Sequence, residues 1–93
     1  MLEMKLVIHG RVQGVGYRYS IIDHIEKNQI MVKGYVLNNP NGTVVIVGQG
    51  DIENLKDLRR VALEGSQKSQ VREIEEVIQE ISDFTYDSFE IRY

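Results

Sequence analysis

Gly10-Arg11-Val12-Gln13-Gly14-Val15-Gly16-Tyr17-Arg18 is the stretch on which the fold turns. On its N-terminal side Met4, Leu6 and Ile8 alternate with Lys5, Val7 and His9, the period of a strand, and Gly10 is expected to end it. On its C-terminal side the period changes. Tyr17, Ile21 and Ile25 recur every four residues with Ile22 beside them, so an amphipathic helix is expected to run to about Asn28. The stretch therefore joins a strand to a helix, and Arg18 falls in the first helical turn. Glycines at 10, 14 and 16 let a loop turn sharply and bring main-chain N–H groups towards an anion, while the helix start adds the positive end of its dipole. An arginine at that place can make two parallel charge-assisted bonds to phosphate oxygens, which lysine cannot reproduce. Taken alone, the same residues read more simply as a turn followed by a solvated arginine.

Beyond the helix, Ile30 to Leu37 is apolar and β-branched enough for a strand. Asn38-Asn39-Pro40-Asn41-Gly42 then supplies turn chemistry before a further strand from Thr43 to Val47, which makes a β-hairpin. Asp51 is placed to cap a second helix whose inner face carries Ile52, Leu55, Leu58 and Ala62, with Gly65 closing it. Val71, Ile74, Ile78 and Ile81 are spaced three, four and three apart, which by itself favours a helix. Phe89, Ile91 and Tyr93 alternate with Glu90 and Arg92 as a terminal strand. If the segment from Val71 is a strand, the order is β-α-β-β-α-β: an α+β, ferredoxin-like split βαβ sandwich with two helices on one face of an antiparallel sheet.

With 93 residues, 42% of them hydrophobic, the chain can fill one domain, 1–93, around one core. It has no cysteine, which excludes disulfides, thiolate metal sites and a cysteine nucleophile. His9 and His24 show neither paired spacing nor an evident carboxylate partner, so no metal site and no histidine relay is expected. The net charge of -3 argues against a nucleic-acid binder, although the first 38 residues hold five Lys and Arg against three acids and the remainder six against eleven. An anion site is better sought in the first part. The N-terminus lacks a secretory pattern and no window reaches transmembrane length, so a cytoplasmic protein without membrane association is expected. Tyr19 stands where the third glycine of G-x-G-x-x-G would be, and no G-x-x-x-x-G-K-[ST] occurs; dinucleotide and ATP sites are unsupported.

The stretch from Gly10 to Arg18 resembles the signature loop of the acylphosphatase family, G-[RK]-V-Q-G-V-x-[FY]-R. Gly34-Tyr35-Val36-Leu37-Asn38, followed by Asn41-Gly42-Thr43-Val44, is similar to a second element of that family, G-[WY]-V-x-N-x-x-D-G-x-V. Gly65-Ser66-Gln67-Lys68-Ser69 stands where the family has the loop after its second helix, and Tyr86-Asp87-Ser88-Phe89-Glu90-Ile91 resembles its closing strand. The departures are Asn41 for a frequent Asp, Tyr35 for Trp, Val45 for a polar residue and Gln67 for a common proline. The resemblance implies the ferredoxin-like fold, and with it a strand near Val71 despite the helix-like spacing.

It also implies hydrolysis of acyl phosphates to a carboxylate and inorganic phosphate, with no cofactor. Arg18 is then the anchor of the phosphoryl group, Asn38 the residue that places the attacking water, and Arg11, Val12, Gln13, Gly14, Val15 and Gly16 the phosphate-binding loop. The chemistry can be this sparse because carboxylic acids titrate near pH ~4, so the leaving group departs without a general acid. Phosphoryl transfer gains most from positioning and electrostatic complementarity. An asparagine offers an acceptor for a water proton and a donor to an oxygen. The competing reading is a noncatalytic ferredoxin-like module that binds an anion or a protein. An RNA-recognition domain shares the strand order, but the chain has neither its RNP1-like run nor a basic surface. A small-molecule substrate of broad acyl specificity and a monomeric state are expected.

Overall fold

The alternation at the start of the chain forms strand β1 (Leu2–Arg11), which continues through Gly10 instead of stopping there. In the computed structural model, which describes residues 1–93, it is followed by α1 (Tyr17–Lys27), β2 (Lys33–Asn38), β3 (Val44–Gly50), α2 (Ile52–Glu64), β4 (Gln70–Glu80) and β5 (Phe89–Arg92). The strands lie in the order β4-β1-β3-β2-β5. β1 pairs antiparallel with β3 and β4, and β2 antiparallel with β3. The expected α+β order is present, with one correction: β5 runs parallel to β2, so the sheet is mixed and not antiparallel throughout. Parallel pairing follows from the route of the chain, because the segment after β4 crosses to the opposite edge of the sheet before β5 begins.

Strand parity decides what meets the helices. Leu6, Ile46, Val36 and Ile91 form one row across four strands, with Glu76 completing it on β4. The neighbouring row is Ile74, Ile8, Val44 and Asn38. Against this face pack Tyr17, Ile21 and Ile25 of α1 and Leu55, Leu58, Val61 and Ala62 of α2. Sixteen buried residues make up the resulting core. Ile52, expected on the inner face of α2, is exposed, and Asp51 occupies the N-cap position without a side-chain capping bond.

The helix-like spacing in β4 has a local cause. Opposite His9 and Gly10 the register slips by one residue, so that Glu73 faces His9 and Val71 faces Gly10, leaving Arg72 as the extra residue of a bulge. A bulge converts a two-residue step into three, which accounts for Val71 to Ile74. The four-residue step from Ile74 to Ile78 is two ordinary strand steps with Glu76 between them. Strand parity puts its carboxylate on the helix side, where Arg59 of α2 donates to it at 2.9 Å. Strand structure ends at Glu80, one residue short of Ile81.

Residues 81–88 strap the other face of the sheet. Buried Gln49 anchors the strap: its amide donates to Thr85 Oγ1 and to Glu3 Oε1, both at 2.8 Å, and its Oε1 accepts from the Thr85 N–H at 2.9 Å. Tyr86 packs edge-on against Tyr35, with ring centroids 5.6 Å apart. No helix is long and apolar enough to cross a membrane.

Candidate active site

Asn38 is the last residue of β2, and parity puts it on the helix-facing side, two residues after the fully buried Val36. A polar side chain thus occupies what the pattern would make a core position. Its Oδ1 is buried and has no hydrogen-bond partner. Leaving a buried acceptor unpaired costs about 1–3 kcal/mol, so such a group in a well-packed protein calls for an explanation.

The explanation lies across the mouth of the sheet, at the start of α1. Gly14 and Gly16 both have left-handed backbone, φ 72° and 74°, which turns the loop sharply into the helix. Gly16 is also the N-cap of α1 and has no side chain to cap it. The first helical bond runs from Ser20 N–H to the Gly16 carbonyl, so the N–H groups before Ser20 are not taken up by the helix. No acidic residue stands in the first turn to offset the positive end of the dipole. Val12, Gly14, Gly16, Tyr17, Arg18, Tyr19 and Asn38 enclose a concavity of about 130 Å³. Arg18, Asn38 and the glycine loop at the uncapped helix start therefore line one small space.

Arg18 is held from behind. Its Nη1 donates to the Arg92 carbonyl at 2.9 Å, and its Cζ lies 4.9 Å from the centre of the Tyr93 ring. The hydroxyls of Tyr93 and Tyr19 are 3.2 Å apart, and this bond is the main cause that raises the Tyr93 pKa above its ordinary value. With one N–H committed to Arg92, the guanidinium keeps donors for a ligand. The loop is braced on two further sides. Ser66 Oγ donates to the Val15 carbonyl at 2.8 Å, and the Tyr17 hydroxyl donates to the Ala62 carbonyl at 2.6 Å. Burial pushes the Tyr17 hydroxyl well above the usual tyrosine range, so it stays a neutral donor.

Of the residues singled out in the sequence, Arg18, Asn38, Val12, Gly14 and Gly16 meet at the concavity. Arg11 is exposed at the end of β1, opposite Gln70 and outside the lining. Val15 packs partly against the core. Gln13 turns the other way, its Nε2 donating to the Asn39 and Thr43 carbonyls of the hairpin at 2.7 and 2.9 Å. Sequence reasoning missed this bracing, and it missed Arg92 and Tyr93 at the site altogether. Main-chain carbonyls carry no sequence signal, and only the parallel placement of β5 brings these two residues to Arg18.

His9 also differs from expectation. The neighbouring strand gives it the carboxylate partner that the sequence did not reveal, its diagonal neighbour Glu75, at 2.6 Å from Nε2. Glu73 completes a group whose ligand atoms lie within 4.8 Å of one another. Parity places this group on the strapped face of the sheet, away from Asn38.

A ferredoxin-like sheet carrying a glycine loop, an arginine at a helix start and an asparagine at a facing strand end defines a class of small α+β domain. Comparison with known proteins narrows it. The profile of the family described as Acylphosphatase matches residues 4–91. An acylphosphatase from Petrotoga mobilis is 35% identical, the match covering all of both chains. One from Methanocella arvoryzae is 37% identical over 99% of this chain and all of its own. The crystal structure of acylphosphatase from Bacillus subtilis superposes with a TM-score of 0.88 at 31% identity, over the whole of both chains. The chain belongs to the acylphosphatase family, and the enzyme class expected from its sequence holds.

Proposed function

We propose that residues 1–93 form one catalytic domain that hydrolyses acyl phosphates, with Arg18 binding the phosphoryl group and Asn38 orienting the water. The observation that carries this reading is that Asn38, whose Oδ1 is buried and unpaired, lines the same 130 Å³ concavity as Arg18 and the glycine loop. The phosphoryl oxygens rest on the N–H groups around Gly14 to Tyr19 and on the guanidinium, which complement the equatorial charge of a loose transition state. Asn38 Oδ1 accepts a hydrogen bond from the water and so directs an oxygen lone pair at phosphorus. The new P–O bond forms on that side as the bond from phosphorus to the acyl oxygen breaks on the other. The electron pair leaves on the carboxylate, and the water's protons pass to phosphate oxygens and solvent. No general acid is needed, because carboxylate is stable at neutral pH.

The scheme uses only side chains and main chain, so activity is expected to survive a chelator. Phosphate release from benzoyl phosphate, followed before and after chelator treatment, tests it. A folded wild type that releases no phosphate would return the reading to a noncatalytic anion-binding module.

A further inference from the structure

Two large aromatic side chains beside Arg18 have no role in the core. Tyr19 is 62% exposed and Tyr93 is 83% exposed, although both rings could bury more than 150 Å² in a folded protein. They are nevertheless in contact with each other and with the site: their hydroxyls are 3.2 Å apart, and the Tyr93 ring lies beside the Arg18 guanidinium. Tyr19 also borders the concavity directly. We propose that Tyr19 and Tyr93 form the subsite for the acyl group and favour acyl phosphates whose acyl end is aromatic. This rests on the hydrolytic reading given above and names its substrate class.

The argument is one of space and chemistry. The phosphoryl end must reach the N–H groups of the loop and the guanidinium, and the concavity is small. The acyl end is therefore left at the rim, where the side chains on the Arg18 side are these two tyrosines. Their hydroxyls are engaged with one another, so what they offer is ring surface. An aromatic acyl group can lie against such surface and lose water from both partners, whereas an acetyl group covers little of it. This replaces the broad specificity expected from the sequence with a graded preference. The hydroxyl pair fixes where the rings stand, but the selecting contact is the ring itself.

The test is the ratio of kcat/KM for benzoyl phosphate to that for acetyl phosphate, measured within each variant. The two substrates differ in intrinsic reactivity, so each variant's ratio is compared with that of the wild type. A general loss from disturbing Arg18 or the fold cancels in the ratio. Tyr19→Ala is expected to lower it about tenfold and Tyr19→Ala with Tyr93→Ala further still, while Tyr19→Phe retains most of it. An unchanged ratio in the double alanine variant would overturn the subsite. Loss of the preference in Tyr19→Phe as complete as in Tyr19→Ala would overturn the assignment to ring surface. Hydrolysis of neither substrate by the wild type would overturn the hydrolytic reading itself.

Discussion

The side-chain amide of Gln13 donates to the main-chain carbonyl of Asn39 at 2.7 Å, and so ties the glycine loop to the turn that follows Asn38. Loop and hairpin come from separate parts of the chain, 26 residues apart at this contact. The same Nε2 reaches the Thr43 carbonyl on the far side of the turn. The Gln13 side chain thus turns to the hairpin, and it sets the distance between the residue proposed to hold the phosphoryl group and the residue proposed to hold the water.

Gln13→Ala is expected to hurt turnover more than stability. Each carbonyl keeps a second donor, the Gly42 N–H on Asn39 and the Asn39 N–H on Thr43, so no acceptor is orphaned. The stability loss should be about 1 kcal/mol by urea unfolding. Misplacing a catalytic group by a fraction of an ångström costs far more in rate, and kcat should fall about ten- to a hundredfold. A loss of stability with normal kcat would show that the hairpin holds Asn38 unaided.

Asn38→Ala is expected to leave the protein as stable as the wild type or slightly more so. Its buried Oδ1 makes no hydrogen bond, so its removal takes away an unsatisfied group and no interaction. Urea unfolding checks this. A large destabilisation would mean that Asn38 serves the fold.

Arg18→Ala should weaken inhibition by inorganic phosphate about ten- to a hundredfold, the worth of charge-assisted hydrogen bonds. Arg18→Lys restores the charge but not the planar fork. It should recover only part of that affinity, because a lysine cannot use the Arg92 carbonyl and a ligand in the same geometry. Equal phosphate inhibition in wild type and Arg18→Ala would refute the anchor role.

Much of this site was legible because its parts are coded locally. Tyr17, Ile21 and Ile25 give the helix, the glycines give the loop before it, and Asn38 closes a strand whose Val36 marks the buried face. The resemblance to a family then gave these parts a joint meaning. What stayed hidden depends on distant pairing. The bulge at Arg72 and the ion pair of Glu76 with Arg59 made β4 imitate a helical repeat. The parallel course of β5 is set by the strap anchored on Gln49, a buried polar residue whose partners lie 36 and 46 positions away. Arg92 and Tyr93 reach the site only as a consequence of that course.

Tyr17→Phe should cost about 1–2 kcal/mol at neutral pH, because the Ala62 carbonyl at the end of α2 loses a buried donor. The difference should depend on pH in one direction. Burial raises the folded pKa of Tyr17 above its unfolded value near ~10, so the contribution is complete below that pH. Above it the unfolded chain gives up the proton that the folded one keeps, and stability falls as pH rises. Wild type and Tyr17→Phe should therefore converge on the alkaline side, as urea midpoints between pH 7 and pH ~11 would show. A gap that widens with rising pH would contradict the buried neutral hydroxyl.

The most direct test of the central claim is kcat for benzoyl phosphate hydrolysis by wild type and Asn38→Ala, both shown to be folded by urea unfolding. Removing one oriented group from an electrostatic site typically costs a factor of ~100 to ~1,000. The expected result is an active wild type, a loss of that size in the variant, and inhibition by inorganic phosphate that is largely unchanged between the two. Equal kcat in the two proteins would contradict the assignment of the attacking water to Asn38.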